Sequence, residues 1–372
     1  MNIGFFIEKF TDIQFRKESG LIIESLKRIG INVQVYCNYA EKKVIDNFNP
    51  IIINKKTSNN YEFWKAQKIS HLMIYSWLSI KYTNIIKSAS KAGIKVFLKM
   101  DSDGNLIYPK KPTYIKTIGL NNSFKEQVIY IARLFQWFVI PRIISKIRIQ
   151  QISLSQAILI ESPLAKNNLA KSLSYWHKDD LIKKIYVVEN PIRWQEEIPD
   201  KQNIILCIGR WDYKQKNTKK LITVMNKLTT NWHVKIIGTE ANKVVSKIKN
   251  PNLKISFINN IEHTDLLKII STVKIIFMPS IWEGFPLAAC EGVTAGCSIV
   301  GGPLPGLIYL TSKNNGIITN NLQTTSLCNA LQEDINRWEN NYYQPEKIAN
   351  DWRAVLSPEV KAKKIINLMK ES

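Results

Sequence analysis

Acidic residues are scarce in this 372-residue sequence, with 30 Asp and Glu against 52 Lys and Arg, a formal net charge of +22. Such a surface attracts anions, and three partners fit it: nucleic acid, anionic lipid and phosphorylated substrate. Cysteine is also scarce. The five residues Cys37, Cys207, Cys290, Cys297 and Cys328 are scattered, with no Cys-x-x-Cys pair. This excludes a disulfide framework and a zinc ribbon, and the cysteines read as small core residues of a reducing cytoplasm. Long apolar runs are missing, since a spanning helix needs about eighteen uncharged residues. The nearest approach, 127 to 149, is interrupted by Arg133, Pro141 and Arg142. At the N-terminus, Glu8 and Lys9 arrive before a signal-peptide core forms, so secretion is not expected. Low-complexity tracts, helix-turn-helix, finger and RNA-binding motifs are absent too, and nucleic acid is therefore not an expected partner.

What is present is a folded composition, 45% hydrophobic and 22% charged, in a chain long enough for two domains. Apolar runs suited to strands recur at Ile3 to Ile7, Ile31 to Tyr36, His71 to Trp77, Lys95 to Met100, Gln156 to Ser162 and Lys184 to Val188. Helical spacing falls between them, at Ser19 to Arg28 and Ile80 to Ala92. Strands alternating with helices predict a parallel sheet covered on both faces. Arg193 to Gln202 is polar, carries Pro199 and reads as a linker.

A second series follows. Its strands are expected at Ile204 to Ile208, His233 to Ile237, Lys254 to Ile258, Val273 to Met278 and Ser298 to Val300. Helices are expected at Thr218 to Leu228, Lys243 to Ile248, Asp265 to Ser271 and Pro286 to Ala295, and a last one at Pro358 to Met369. The fold class is thus α/β, two tandem Rossmann-like doubly wound domains. The first covers residues 1–195, joined by 352–372, and the second 202–350.

Chemistry concentrates at one predicted sheet edge. Pro286 suits the first turn of a helix after the strand ending near Met278, so the helix amide end faces the sheet's carboxyl edge, where anions bind. Glu283 precedes that helix and Glu291 lies more than one turn inside it, which lets the two carboxylates reach different parts of one extended ligand. Carboxylates accept hydrogen bonds from hydroxyl pairs, such as a ribose diol or a sugar ring. Gly209-Arg210 closes the first strand of this series, with Lys216 soon after, and an Arg fork beside a Lys point charge neutralises a diphosphate. Lys214 is an alternative to Lys216. Gly301-Gly302-Pro303 closes the last strand, where paired glycines admit a ligand to the backbone. Read alone, two glutamates eight apart make a solvated helix face.

Together, Gly209-Arg210 with Lys216, then Glu283-Gly284-Phe285-Pro286-Leu287 with Glu291, then Gly301-Gly302, resemble the retaining glycosyltransferases of family four. The resemblance spans the C-terminal half and implies the GT-B fold, two domains facing a cleft with the last helix crossing back to the first. It implies hexose transfer from a nucleotide-diphosphate sugar to a glycan or lipid-linked acceptor, with retention and without metal or other cofactor. On this basis Glu291 would hold the donor ribose. Glu283 with the Gly284, Phe285, Pro286 and Leu287 backbone would hold sugar and phosphates, and Arg210 and Lys216 the leaving diphosphate. Ile261, in the turn Asn259-Asn260-Ile261, falls where the family cradles the base, and Asn190 matches a hinge-proximal asparagine.

In the N-terminal half, Gly20 stands where the family has a glycine-rich phosphate turn. Asp101 and Asp103 fall where many members place a histidine, a place that His71, His177, His233 and His263 do not fit. Both aspartates also suit a turn cap. The basic, aromatic-bearing stretch 108–148 suits an anionic membrane surface or a helix packed on the first sheet. Epimerase and phosphorylase chemistry remain alternatives within the fold. The expected site of action is the cytoplasm, peripheral to the membrane.

Overall fold

The computed structural model describes residues 1–16, 18–76, 79–106 and 141–371. These divide into two compact units. The first holds the described residues up to 106, then 141–192 and 356–371; the second holds 193–355. Arg193 to Gln195 and 352–355 thus group with the second unit, where the Arg353 guanidinium donates to the carbonyls of Gln195 and Glu196.

In the first unit the strands are β1 (Asn2–Phe6), β2 (Lys9–Phe10), β3 (Asn32–Cys37), β4 (Tyr39–Ala40), β5 (Ile51–Ile52), β6 (His71–Tyr75), β7 (Lys95–Met100), β8 (Ala157–Ile160) and β9 (Ile185–Val187). Seven form a parallel sheet in the order β5-β3-β1-β6-β7-β8-β9, and β2 pairs with β4. Their side chains alternate between two cores because both faces are covered. Phe6, Leu72, Ile74, Leu98 and Ile160 enter one core, and Ile3, Phe5, Met73, Phe97 and Leu159 the other.

The second core is closed by the helices Glu18–Arg28 and Pro358–Glu371, which pack on each other. Ile22, Ile23 and Leu26 from one and Ala362, Ile365, Ile366 and Met369 from the other fill it. Full burial of an Ile or Leu side chain stabilises by roughly 1.5–3 kcal/mol, so this pairing fixes the C-terminal helix in the first unit. Two polar contacts set its register. Lys361 Nζ lies 2.6 Å from Glu189 Oε2, and the His71 ring nitrogen Nε2 lies 3.0 Å from the Met369 carbonyl.

The second unit carries β10 (Gln202–Ile208), β11 (His233–Ile237), β12 (Ile255–Ile258), β13 (Val273–Met278), β14 (Ser298–Gly301) and β15 (Gly316–Ile318). All run parallel in the order β12-β11-β10-β13-β14-β15. The chain builds outward from β10 to β12, then crosses back to lay β13 on the other flank of β10. The carboxyl edge between β10 and β13 is therefore the topological switch point, where connections diverge and leave a crevice for ligands. Among the described residues no helix is long and apolar enough to cross a membrane.

Candidate functional site

The loops leaving β10 and β13 are stitched together at that switch point. After Gly209, a 3-10 turn at Lys214–Lys216 ends on Asn217, which adopts a left-handed conformation with φ 55°. Asn217 donates its side-chain amide to the Pro279 carbonyl at 3.0 Å, and the Ile281 amide donates to the Gln215 carbonyl at 2.8 Å. These bonds bring Lys216 and Glu283 together although 67 residues separate them. Lys216 Nζ lies 2.6 Å from Glu283 Oε1, and Gln215 Nε2 donates to Oε2 at 3.0 Å. Glu283 is 7% exposed, and both its oxygens are engaged on the protein side. Arg210 is exposed at the same strand end, its guanidinium 4.2 Å from the Tyr213 ring centroid. Stacking of this kind holds an Arg fork in place while leaving its N–H groups to an anion.

Beyond Glu283 the chain turns through half-buried Gly284 and buried Phe285 into the helix Leu287–Thr294. Pro286 is the residue preceding this helix, with ψ 94°, rather than its first member. The first turn begins without a side-chain cap, and its Ala289 amide donates to the Pro286 carbonyl at 2.9 Å, so the amides of Leu287 and Ala288 are the ones at the open end. Phe285 and Pro286 serve as packing residues. A Cβ on Gly306, in the helix Pro305–Leu310, would stand 2.6 Å from Pro286 Cδ, so that position requires glycine. Leu287 is half-buried.

Glu291 lies on the same helix, and its Oε1 is 2.8 Å from His263 Nε2. His263 opens the helix His263–Thr272, just past the turn that follows β12. In that turn Asn259 Oδ1 accepts from the Asn242 amide at 3.0 Å, and Ile261 is half-buried.

The sequence reading passed over three features of this edge. His263 was weighed only against a place in the first unit; its position two residues after Ile261 was the available signal. Gln215 carried no signal. Gly238, after β11, has φ +123°, and a Cβ there would stand 1.8 Å from the Gly209 carbonyl oxygen. The strand end carrying Gly209 thus lies directly against it. Gly302 answers to packing, since a Cβ there would meet Leu322 Cδ2 at 2.4 Å.

In the first unit the predicted residues do not gather into one constellation. Gly20 lies inside the first turn of the helix Glu18–Arg28, not in a loop, and a Cβ there would stand 1.9 Å from the Phe15 carbonyl oxygen. Its glycine answers to helix packing. Asp103 caps its own turn: Oδ1 accepts from the Asn105 amide at 3.1 Å and Oδ2 from the Asn105 side chain at 2.9 Å. Asp101 is half-buried beyond β7, next to a buried pair in which Lys99 donates to Glu161. Burial pushes the Glu161 carboxyl up to about 8, against the lowering effect of Lys99, and the nearby Asp101 charge pushes the same way as burial. Asn190, just after β9, is 1% exposed, and neither polar atom of its side chain has a hydrogen-bond partner among the described residues.

Of the basic stretch 108–148, residues up to 140 lie outside the described residues. At its end Arg148 is 4% exposed and donates to the Leu106 carbonyl, whereas Lys146 is exposed.

Residues 188–354 match the family described as Glycosyl transferases group 1. An uncharacterized glycosyltransferase of Methanocaldococcus jannaschii is 25% identical over 160 residues, 37% of this chain and 41% of that protein. The match therefore spans about two fifths of the curated relative's length. Similar solved structures include the lipopolysaccharide outer core galactosyltransferase WaaB, with a TM-score of 0.70 at 14% identity, covering 100% of this chain and 99% of that one. Sucrose-phosphate synthase from Thermosynechococcus elongatus gives 0.66 at 12% identity, over 100% and 98% of the two chains. Anabaena HepE, in complex with UDP and glucose, gives 0.66 at 10% identity, over 100% of both. The fold is GT-B: two parallel-sheet α/β domains.

Proposed function

We propose that the chain is a retaining glycosyltransferase, moving a hexose from a nucleotide-diphosphate sugar to a glycan or lipid-linked acceptor. The observation that carries this reading is the β10–β13 switch point, where Lys216 pairs with Glu283 ahead of the helix that carries Glu291, with Arg210 at the end of β10. The cations and amides suit a diphosphate. Two carboxylates, one before the helix and one within it, suit the hydroxyls at either end of the donor. The match of 188–354 to group 1 glycosyl transferases supports the same assignment.

In the proposed mechanism, Arg210 and Lys216 stabilise negative charge on the leaving diphosphate, a role that requires no metal. Preorganised charge of this kind acts most strongly where a leaving group develops its charge, so no conventional acid and base pair is required. The acceptor belongs to the first unit on this reading, with Asp101 its candidate carboxylate. A lipid-linked acceptor would bring the chain to an anionic membrane surface on the cytoplasmic side.

The test is calorimetry against UDP-, GDP- and dTDP-sugars, followed by product analysis of the anomeric configuration by NMR. Binding of one donor class and an axial-to-axial or equatorial-to-equatorial outcome are expected. A salt-sensitive shift of nucleic acid with no nucleotide-sugar binding overturns the reading, and epimerised donor without acceptor replaces it with an epimerase.

A further inference from the structure

His263 and Glu291 form a pair that the donor-site reading does not use. The imidazole Nε2 is 2.8 Å from Glu291 Oε1, with side-chain exposures of 31% and 11%. An ionised carboxylate only accepts, so the ring donates from Nε2 whether neutral or protonated. The two residues come from different helices, His263–Thr272 and Leu287–Thr294, which pack on each other. A glutamate side chain has three rotatable bonds, and its orientation on a helix is loose unless a partner fixes it. One N–H donor occupies one lone-pair direction of Oε1. Oε2 and the remaining direction on Oε1 are then left in a defined plane, which suits two neighbouring hydroxyls.

We propose that His263 is a positioning residue that fixes the Glu291 carboxylate for a vicinal diol, and so selects ribonucleotide over 2′-deoxyribonucleotide donors. The inference rests on the sugar-transfer reading, since it takes Glu291 to hold the donor ribose. His263 itself makes no contact with the reacting atoms. It opens the helix that follows the turn 259–261, whereas Lys216 and Glu283 lie on the loops joined across β10 and β13.

The test is calorimetry on wild type, His263→Ala, His263→Gln, Glu291→Gln and the His263→Ala/Glu291→Gln double variant. The probes are whichever of UDP, GDP and ADP binds wild type most tightly, its 2′-deoxy analogue, and pyrophosphate. Losing a charge-assisted hydrogen bond predicts that His263→Ala weakens the ribonucleotide about tenfold. The 2′-deoxy analogue is expected to lose less, and pyrophosphate to stay within about twofold, inside the scatter of independent effects. Glutamine keeps an N–H donor of similar reach and is expected to restore most of the affinity. In the Glu291→Gln background most of the His263→Ala effect should be gone, because the amide accepts from the ring without charge and has one oxygen left for a diol in place of two.

Equal losses for ribonucleotide and pyrophosphate would mark a general structural role and overturn the proposal. So would unchanged or tighter ribonucleotide binding by His263→Ala, or a loss that persists undiminished beside Glu291→Gln. A wild type that binds none of the three nucleotides overturns the sugar-transfer reading, and this inference with it.

Discussion

Lys216 and Glu283 are bound to each other, Nζ to Oε1 at 2.6 Å, across the loops of two adjacent strands. The family resemblance assigns Lys216 to the leaving diphosphate and Glu283 to the donor sugar and phosphates. The two loops hold this cation against this carboxylate. The lysine is held beside a carboxylate, and the carboxylate is oriented by the lysine and Gln215. A donor entering this edge would add its diphosphate charge to an existing pair.

Replacing Lys216 by Met therefore removes a cation and leaves Glu283 with one partner fewer. We expect nucleoside diphosphate to bind about tenfold to a hundredfold more weakly, the loss appropriate to a charge-assisted bond to phosphate. Affinity for the bare nucleoside should stay unchanged, since Glu291 and the 259–261 turn are untouched. Calorimetry with the two ligands separates these effects. Because cations of the chain itself are assigned to the diphosphate, turnover with EDTA present should match turnover without it.

Glu283→Gln tests the other partner. The amide still approaches Gln215 and Lys216 but accepts through a single oxygen and carries no charge. Nucleoside diphosphate, which has no sugar to meet Glu283, should bind equally well or somewhat more tightly, Lys216 being less engaged. Transfer of sugar should fall by about two orders of magnitude, the scale of one lost charge-assisted bond in a transition state. A parallel loss of diphosphate affinity would refute the division of labour between the two residues.

Why this pairing escaped the sequence is a matter of sheet order. The alternation of apolar runs and helical spacing is local, and it showed all six main strands of the first sheet and β10 to β14 of the second. The Glu283 to Glu291 element was legible for the same reason, because its glycine, proline and carboxylates lie within one turn and one helix. The order β12-β11-β10-β13 is a long-range fact. A single sequence can put Lys216 and Glu283 at one sheet edge but does not pair them or add Gln215, and for His263 beside Glu291 it offers only the place of His263 two residues after Ile261. Brief strands escaped as well: β5 has two residues and β15 three, too short to display a period. Gly20 and Asp103 each have a local structural role. Their residue types were informative, but about packing and turn capping, which share the preference for glycine and aspartate.

Gly238 gives a test at a position the sequence left unremarked. Alanine there would hold φ near +123° against the preference of any side chain and drive its Cβ into the Gly209 carbonyl 1.8 Å away. Positive-φ strain alone costs about 1–3 kcal/mol. Relief requires the β10 end to move, carrying Gly209 and Arg210 with it. We expect Gly238→Ala to lower Tm and to weaken diphosphate binding together, whereas Gly30→Ala, also at positive φ but with open space around its Cβ, should lower Tm slightly and leave binding intact.

Asp334 makes a stability prediction with a defined pH window. It is buried on the helix Thr324–Glu339 and accepts from the hydroxyls of Ser298 and Tyr343. Burial raises its carboxyl from 3.8 to about 6, overcoming the lowering effect of those hydrogen bonds. The folded state therefore holds the proton more tightly than the unfolded chain does. This contribution to stability is fully present below the unfolded value and is lost as pH rises through about 6, amounting to about 3 kcal/mol. Denaturant melts of wild type should thus show falling stability of the second unit from about pH 4 to 6. Asp334→Asn, which cannot titrate, should flatten that part of the profile.

The buried pair Lys99 and Glu161 should behave oppositely when broken and when replaced whole. Both side chains are 1% exposed, so each charge has given up its water and depends on the other. Glu161→Leu alone strands an ammonium beneath the β7 end and also removes the acceptor that the Ser102 amide approaches at 3.4 Å. Breaking such a pair costs about 3–5 kcal/mol, whereas exchanging both members for apolar residues of similar volume is often close to neutral. Lys99→Met/Glu161→Leu should therefore recover most of the stability lost by Glu161→Leu, measured as urea midpoints at constant m value. The loop from Asp101 to Leu106 rests on Glu161 through Ser102, on Asn168 through the Asp103 carbonyl and on Arg148 through Leu106. If the pair serves stability alone, the double variant should also retain transfer activity. If its purpose is to set that loop for an acceptor, stability returns while transfer stays low and diphosphate binding in the second unit is unaffected. The comparison thus decides whether Asp101 is held in place for chemistry or is a neighbour of a structural ion pair.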